Sequence, residues 1–172
     1  MRARVAIARV ASAVLVCASA LACNNPGAPA PAVTVSIIPT PVIATVDAGS
    51  SATTVRFALT VAIRNDGPGS AYLAHWCDPP IEQRTATGWT PAVGGMVCAA
   101  VLYPPTEIPE GTTLTRDLSI AAALNGSPAP GMAKWLSATP DGTYRVALPL
   151  GGPDGQILPE RSRVSADFTI TH

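Results

Sequence analysis

Apolar and polar side chains alternate along much of the chain, and the pattern is clearest in Thr54–Asn65, TVRFALTVAIRN. Successive side chains of a β-strand point to opposite faces, so strict alternation predicts a strand with one face turned toward a core. Polar or small residues occupy the other face. The expected inward side chains are Val55, Phe57, Leu59, Val61 and Ile63.

Shorter segments with strand character follow, separated by residues that favour turns. Asn65–Ser70 predicts a turn and Gly151–Glu160 a loop, because Gly, Pro, Asn and Asp adopt turn conformations readily. Residues 121–137 are ambiguous, since Ala121–Leu124 or Gly131–Ser137 would each suit one helical turn. Further strands are expected at Ala71–Cys77, from Ile81 to a turn around Gly88, at Met96–Leu102, at Thr112–Ile120, through Tyr144, Val146 and Leu148, and through Val164, Ala166, Phe168 and Ile170.

Together these segments predict an all-β fold, an antiparallel immunoglobulin-like β-sandwich of about seven or eight strands. The chain of 172 residues contains 18 Pro and 14 Gly. This composition disfavours a helical bundle, because Pro removes a backbone donor and Gly loses the most entropy on ordering. Residues 33–172 form the expected domain, which is long enough for one hydrophobic core.

The first residues follow a different pattern. Three arginines precede an apolar stretch from Val10 to Ala22 in MRARVAIARVASAVLVCASALA. This stretch is too short for a helix to cross a bilayer, which takes about 20 residues, and it ends in small residues, as signal-peptidase sites do. Residues 1–22 are therefore interpreted as a signal peptide, with a buried N-terminal helix as the alternative.

The residues Ala20, Leu21 and Ala22 before Cys23 resemble the lipobox of bacterial lipoproteins. In that family the cysteine thiol receives a diacylglycerol, the signal is cut before it, and the new amine is usually acylated. The resemblance implies a palmitate-type anchor at Cys23, membrane lipid as a partner and a location in the cell envelope. In enteric-type envelopes, Asn24 after the cysteine implies the outer membrane. The apolar residue usually found three positions before the cysteine is here one later, at Leu21, and secretory cleavage leaving a free thiol is the alternative.

Residues 23–32, CNNPGAPAPA, are interpreted as the lipidated cysteine and a linker. Alternating Pro and Ala favour an extended polyproline conformation and supply no core. At about 3.1 Å per residue, such a tether holds the domain roughly 25–30 Å from the lipid surface.

The charge distribution argues against a nucleic-acid partner. Arg2, Arg4 and Arg9 account for three of the 11 basic residues, which face 11 acidic ones. Removal of the signal peptide therefore leaves an excess of acidic groups and no cluster of Lys and Arg. Proteins that bind nucleic acid need a basic face to neutralise phosphates.

Two cysteines, Cys77 and Cys98, fall in the expected domain. In an oxidising envelope an even pair predicts a disulfide, and closing its loop stabilises the fold by about 3 kcal/mol in the chain-entropy model. Two free thiols are one alternative. A metal site with His75 and Asp78 is another, although the segment lacks a second ligand pair at zinc-like spacing.

The domain also carries a series of short motifs. They are RN (Arg64, Asn65), WC ending at Cys77, GW (Gly88, Trp89), Cys98, IPEG (Ile108–Gly111), GTYR (Gly142–Arg145) and DFTI (Asp167–Ile170). Their order resembles that of small bacterial immunoglobulin-like envelope domains of unassigned function, over roughly Thr54–Ile170. A related pattern occurs in a family of bacterial intracellular proteinase inhibitors, also β-sandwiches, whose intracellular role does not transfer to an exported chain.

The segment DGTY, Asp141–Tyr144, precedes a predicted strand and is similar to a tyrosine corner. In that motif a Tyr hydroxyl ties a turn to the sandwich. The spacing differs from that in antibody domains, and an ordinary strand tyrosine is the alternative.

No catalytic motif is present: the chain has no Gly-x-Ser-x-Gly elbow, phosphate-binding loop or His-Glu-x-x-His sequence. A nucleophile–base pair would have to use His75, which lies beside Trp76 and is interpreted as structural. Glu107 and Glu110 lie in a Pro-flanked turn and are expected to be solvated. We therefore expect neither an enzyme nor a cofactor or metal.

Two aromatic residues and two loops remain as candidate binding elements. Trp89 and Trp135 belong either to the core or to a binding surface. The Pro- and Gly-rich segments Asn125–Met132 and Gly151–Glu160 are candidate binding loops, because a pre-organised loop loses less entropy on binding. The chain is accordingly interpreted as a membrane-anchored envelope lipoprotein with a non-catalytic binding or structural module, and a protease inhibitor of β-sandwich type is the alternative.

Overall fold

The computed structural model describes residues 31–49, 52–75, 79–95, 103–126 and 128–172. These ranges contain 14 β-strands and one short 3-10 helix, Glu160–Ser162, and no α-helix. The prediction of an all-β domain is confirmed. Nothing in the described ranges forms a helix with the length and apolar character that a membrane crossing requires.

The largest sheet has six strands. Its centre is the antiparallel pair β4 (Ala52–Asn65) and β10 (Thr113–Gly126), each 14 residues long. Four short strands flank this pair: β1 (Val33–Ile38) and β3 (Thr45–Ala48) beside β4, and β11 (Ala133–Trp135) followed by β8 (Val93–Gly94) beyond β10.

Two smaller sheets complete the fold. The five-stranded sheet contains, in order, β2 (Val42–Ile43), β14 (Phe168–Thr171), β12 (Gly142–Val146), β6 (Ile81–Thr85) and β7 (Gly88–Pro91). The three-stranded sheet contains β13 (Leu150–Gly151), β5 (Ala71–Leu73) and β9 (Thr106–Ile108).

Two strand pairs are parallel, β2 with β14 and β10 with β11, so the prediction of a purely antiparallel arrangement is wrong. The first of these pairs arises near the start of the domain. Pro39 and Pro41 lack an amide hydrogen and cannot continue the ladder between β1 and β4. The chain crosses to the five-stranded sheet as β2 and then returns to β4 as β3.

One hydrophobic core includes side chains from all three sheets. The inward residues predicted for β4 are at most 6% exposed, as the alternation requires. A series of aromatic contacts crosses the core, with ring centroids 6.0 Å apart for Phe57 and Trp135, 5.9 Å for Trp135 and Tyr144, and 6.2 Å for Tyr144 and Phe168. Such pairs contribute about 0.5–1.5 kcal/mol each beyond the area they bury, so this series links the largest sheet to the five-stranded sheet.

The described part of residues 121–137 forms strands rather than a helical turn. Ala121–Leu124 continues β10: Ala121, Ala122 and Ala123 pair with β4, and the register shifts at Leu124. Gly131–Ser137 contains β11, which pairs with β8 and buries Trp135. The small side chains that permit a helix also fit a strand, and the long ladder along β4 decides between the two.

The terminal strand is shorter than predicted. Phe168 and Ile170 point inward at 3% and 0% exposure. Val164 is half-buried and Ala166 is exposed, because Ser165 takes the inward position instead. Its hydroxyl accepts a hydrogen bond from the Val146 amide at 3.0 Å and donates one to a backbone carbonyl.

Asn65 organises the predicted turn at Asn65–Ser70. Its fully buried side chain donates hydrogen bonds to the carbonyls of Gly69 (2.8 Å) and Ile108 (3.0 Å) and accepts one from the Gly67 amide (3.3 Å). Residues 31 and 32, the end of the predicted linker, pack on this turn. Pro31 is buried, and the Asp66 amide donates a hydrogen bond to the carbonyl of residue 32 at 2.9 Å.

Tyr144 makes the hydrogen bond expected of a tyrosine corner. Its hydroxyl donates to the carbonyl of Pro140, four residues upstream, at 2.7 Å. Both residues are buried. Desolvation by burial raises the pKa of Tyr144 to about 12.

Candidate functional site

An open, apolar groove of about 510 Å³ lies beside the three-stranded sheet. It falls within the range of ligand pockets, which are typically concave, largely apolar and about 300–1,000 Å³ in volume. Its walls come from β5, from the residue before β9, from β13 and the loop after it, and from the end of the 3-10 helix. The main side chains in these walls are Tyr72, Pro105, Pro149, Leu150, Ile157 and Arg163.

The loop after β13 is held in one shape by its own backbone. The amide of Gly152 donates to the carbonyl of Gln156 (2.9 Å), and the amide of Gly155 donates to the carbonyl of Gly152 (3.0 Å). Gly155 has a φ of 76°, a conformation that glycine adopts without steric cost. The loop is therefore pre-organised, and the groove wall that it forms needs little ordering to accept a ligand.

At the end of this loop, the neighbouring apolar residues Ile157 and Leu158 point in opposite directions. Leu158 is 5% exposed and belongs to the core, where its amide donates to the carbonyl of Leu150 at 2.9 Å. Ile157 points the other way and is 75% exposed, the largest value among the exposed large apolar residues of the described part. Ile157 thus supplies an accessible apolar side chain to the groove.

Arg163 is the one charged residue among the described residues that line the groove. Its backbone is fixed on both sides: the amide donates to the carbonyl of Glu160 (2.9 Å), and the carbonyl accepts from the amide of Leu148 (2.8 Å). Its Nε is buried and has no hydrogen-bond partner among the described residues. The side chain also forms no ion pair with a described carboxylate, since Glu160 binds Arg145 at 2.7 Å instead.

A second depression of similar volume, about 510 Å³, lies on the other side of Ala74, which lines both. His75 and Tyr103 stack there with ring centroids 4.7 Å apart. His75 is exposed, and its interpretation as a structural residue stays a prediction.

The structure separates the two tryptophans that were considered for a binding surface. Trp135 is 1% exposed, and its Nε1 donates to Ser137 Oγ (2.9 Å) and to the carbonyl of Thr139 (3.2 Å). It is therefore a core residue, and the binding-surface interpretation is wrong for it. The indole N–H finds hydrogen-bond acceptors inside the fold, so burying this large side chain leaves no polar group unsatisfied.

Trp89 is half-buried on β7, away from the groove. Its ring lies beside two guanidinium groups, with the Cζ atoms of Arg145 and Arg84 at 4.6 and 5.6 Å from the ring centroid. Arg145 binds Glu82 and Glu160, each at 2.7 Å. Burial opposes the charge on Arg145, but the bonds to both glutamates outweigh it and raise its pKa. The charge of Arg145 is thus balanced by the two glutamates and its guanidinium contacts the Trp89 ring, and this favours a structural role for Trp89.

The remaining predicted residues either support a turn or lie outside the described ranges. Glu107 accepts a hydrogen bond from the Ser70 hydroxyl (2.6 Å), and Glu110 accepts one from the Gly69 amide (3.2 Å), so both support the turn at Asn65–Ser70. Cys23, Cys77 and Cys98 lie outside the described residues, as do the predicted signal peptide, most of the linker, Trp76 and Asp78, and the predicted strand Met96–Leu102. The lipid anchor and the disulfide stay predictions.

Among the described residues, no group of three His, Cys, Asp or Glu side chains is placed to hold a metal ion. Of the two predicted binding loops, Gly151–Glu160 forms a wall of the groove, whereas Asn125, at the start of the other, still belongs to β10. Sequence reasoning missed Arg163 and Tyr72. The available signal was an arginine pair, Arg161 and Arg163, following a Gly- and Pro-rich loop, and it does not show which arginine lines the groove.

Comparison with known proteins leaves the chain without an assignment. No protein-family model matches it, and no curated protein is significantly similar to it. One similar solved structure carries the description "X-ray structure of Northeast Structural Genomics Consortium target SoR45". It is 16% identical, the match covers 82% of this chain and 87% of that one, and the TM-score is 0.49. That description states no activity, and a likeness at this level carries no argument about family or function.

Proposed function

We propose that this protein is a lipid-anchored envelope protein whose β domain is a non-catalytic, immunoglobulin-like binding module, and that the module binds through the apolar groove beside the three-stranded sheet. The observation that carries the proposal is the groove itself, in which a pre-organised loop presents Ile157 at 75% exposure over a largely apolar depression of about 510 Å³. Exposed apolar side chains around a concave site are typical of ligand and partner surfaces.

The anchor rests on the order of sequence features: a basic start, an apolar stretch, small residues, Cys23 and a Pro/Ala-rich linker. A single acyl chain anchors only marginally, whereas two or three chains on one cysteine hold a protein durably. The packing of Pro31 on the domain gives the proposed tether a fixed end. The tether therefore consists of residues 24–30.

The immunoglobulin-like assignment has support from two features. Sheets packed across a shared core form a layered all-β architecture, as a sandwich does. The bond from the Tyr144 hydroxyl to the Pro140 carbonyl has the geometry of a tyrosine corner.

The anchor is tested with Cys23→Ala. We expect the unmodified protein to enter the membrane fraction and to incorporate labelled palmitate. The Cys23→Ala variant should enter the soluble envelope fraction and incorporate none. Equal membrane association of the two forms would contradict the anchor at this residue.

Binding through the groove is tested on the full-length chain carrying Cys23→Ala, so that an acyl chain neither requires detergent nor competes for the groove. N-phenyl-1-naphthylamine, an uncharged apolar fluorophore, should bind one saturable site. Ile157→Asp should abolish this binding, because it places a charge in an apolar wall. Ile43→Asp is the matched control, since Ile43 is 66% exposed but lies on β2, away from the groove. Binding that survives Ile157→Asp, or that Ile43→Asp removes equally, contradicts the proposed site.

A protease inhibitor is the second candidate, and one observation favours it: Ile157 projects from a loop closed by backbone hydrogen bonds, as the inserted residue of a rigid inhibitory loop would. A panel of proteases assayed with the same full-length chain distinguishes the two functions. Inhibition at micromolar concentration that Ile157→Asp removes would establish the inhibitor. The absence of inhibition together with fluorophore binding would support the binding module.

A further inference from the structure

The side chain of Arg163 contains a buried hydrogen-bond donor that has no partner among the described residues. Its Nε is the one buried side-chain nitrogen or oxygen of the described residues that lacks a hydrogen-bond partner. A buried polar group without a partner destabilises a fold, and nearly all such groups in proteins are satisfied. The carboxylate of Glu160, three residues before Arg163 in the chain, is engaged elsewhere, since it binds Arg145 at 2.7 Å.

This unsatisfied donor belongs to a residue that lines the apolar groove. The lining combines a large apolar surface with one cation, and no acidic residue is among its described members. The complementary ligand is therefore amphiphilic, with an apolar body for Tyr72, Leu150 and Ile157 and one negative group for Arg163. A neutral apolar ligand would leave the Arg163 charge desolvated and unpaired.

We propose that the groove binds a small apolar monocarboxylate, a molecule of the fatty-acid type, whose carboxylate pairs with the guanidinium of Arg163. The inference rests on the proposed function of the groove as a binding site and names the chemical class of its ligand. The terminal Nη–H groups of arginine form a planar fork that fits the two oxygens of a carboxylate. The ligand thus supplies a partner for the one charge in the described groove lining.

The charge in the groove favours a carboxylate over a phosphate. A phosphate monoester carries up to two negative charges at neutral pH and is usually held by several cations or backbone amides. Arg163 stands alone in this lining, and the neighbouring Arg161 is exposed and does not line the groove. One cation balances one carboxylate.

The test compares three probes by isothermal titration calorimetry at pH 7.5, again with the full-length chain carrying Cys23→Ala. Octanoate has both the apolar chain and the carboxylate, octan-1-ol has the same chain without the charge, and acetate has the charge without the chain. We expect octanoate to bind about 10- to 100-fold more tightly than octan-1-ol, the range expected for a hydrogen bond to a charged group. Acetate should show no measurable binding.

Three variants assign the preference to the guanidinium. Arg163→Gln should abolish the preference for octanoate, lowering octanoate affinity to or below that of octan-1-ol, without weakening octan-1-ol binding. Arg163→Lys should retain part of the preference, because it keeps the charge and loses the fork. Arg161→Gln is the matched control two residues away and should behave as the parent chain does. Circular dichroism melts verify that each variant is folded.

The outcomes separate this inference from the proposed function. Equal affinity for octanoate and octan-1-ol, or an unchanged preference in Arg163→Gln, overturns the ligand class. If N-phenyl-1-naphthylamine still binds in the groove, the proposal of a binding module is retained and only the proposal of a carboxylate ligand fails. If neither the fluorophore nor octanoate binds, the groove is not a binding site and both proposals fail. Octanoate binding that depends on Arg163 and on Ile157 supports both.

Discussion

The buried hydroxyl of Tyr144 gives the most quantitative prediction. In Tyr144→Phe the carbonyl of Pro140 loses its donor while it stays buried, and the aromatic ring keeps its place between Trp135 and Phe168. Removing one partner of a buried hydrogen bond costs about 1–3 kcal/mol. We expect Tyr144→Phe to lower the free energy of unfolding at pH 7 by that amount.

The pH dependence of this difference is more specific than its size. Burial raises the pKa of Tyr144 from 10.0 to about 12, so the native state holds the phenol proton more firmly than the unfolded state does. Below pH 10 both states are protonated, and the stabilisation is fully present. As the pH rises from 10 toward 12, only the unfolded state releases the proton, and the stability falls.

The magnitude follows from the shift of about two pKa units at 1.36 kcal/mol per unit. At pH 11 the unfolded state is largely ionised at this residue and the native state largely protonated, so the parent protein has lost about 1 kcal/mol. Tyr144→Phe has no group to ionise there. The stability difference between parent and variant should therefore shrink by about 1 kcal/mol between pH 9 and pH 11.

Urea titrations of both proteins at several pH values, followed by tryptophan fluorescence, measure this difference. Trp135 is a suitable reporter because it is 1% exposed in the native state and contacts Tyr144. All other titrating groups are common to both proteins and cancel in the comparison. A difference that stays constant from pH 7 to pH 11 would refute the burial of this hydroxyl.

Three further predictions concern the frame of the domain. Gly67→Ala should destabilise the protein by more than about 2 kcal/mol in thermal melts, because its Cβ would overlap the backbone nitrogen of Ala32; an unchanged melting temperature would mean that Ala32 does not pack on the turn. Asn65→Ala removes three hydrogen bonds, two of them buried, and should cost about 3 kcal/mol in urea titrations, a value that a loss below about 1 kcal/mol would contradict. Arg145→Gln should cost about 3 kcal/mol, since the side chain is 14% exposed and pairs with two glutamates, whereas Arg84→Gln, at 62% exposure, should change stability by less than about 1 kcal/mol; equal effects would show that burial does not set the strength of these pairs.

The strands with strict alternation were predictable, because the pattern of β4 requires one buried face whatever its neighbours are. The direction of pairing was not predictable from the same pattern. Val42 and Ile43 form a parallel pair with β14 because Pro39 and Pro41 end the first ladder, and their sequence says nothing about which sheet they join. The alternation of apolar and polar residues shows which face of a strand is buried, but it does not show which strand pairs with it.

The site was predictable only in part. Gly151–Glu160 stood out as a loop because its residues favour turns, and it does form a wall of the groove. Ile157 and Leu158 are both apolar, and only the turn geometry decides that one is exposed and the other buried. Arg163 could not be identified from the sequence, since the missing acceptor at its Nε depends on which carboxylates the fold directs elsewhere.

The pairing of β2 with β14 has a consequence for the order in which the chain can fold. Val42 and Ile170, neighbours in this ladder, are separated by more than 120 residues of sequence, and Val42 is fully buried. Contacts between distant residues form slowly, because the intervening chain must first be brought together. During synthesis β2 therefore stays unpaired until almost the whole domain has been made.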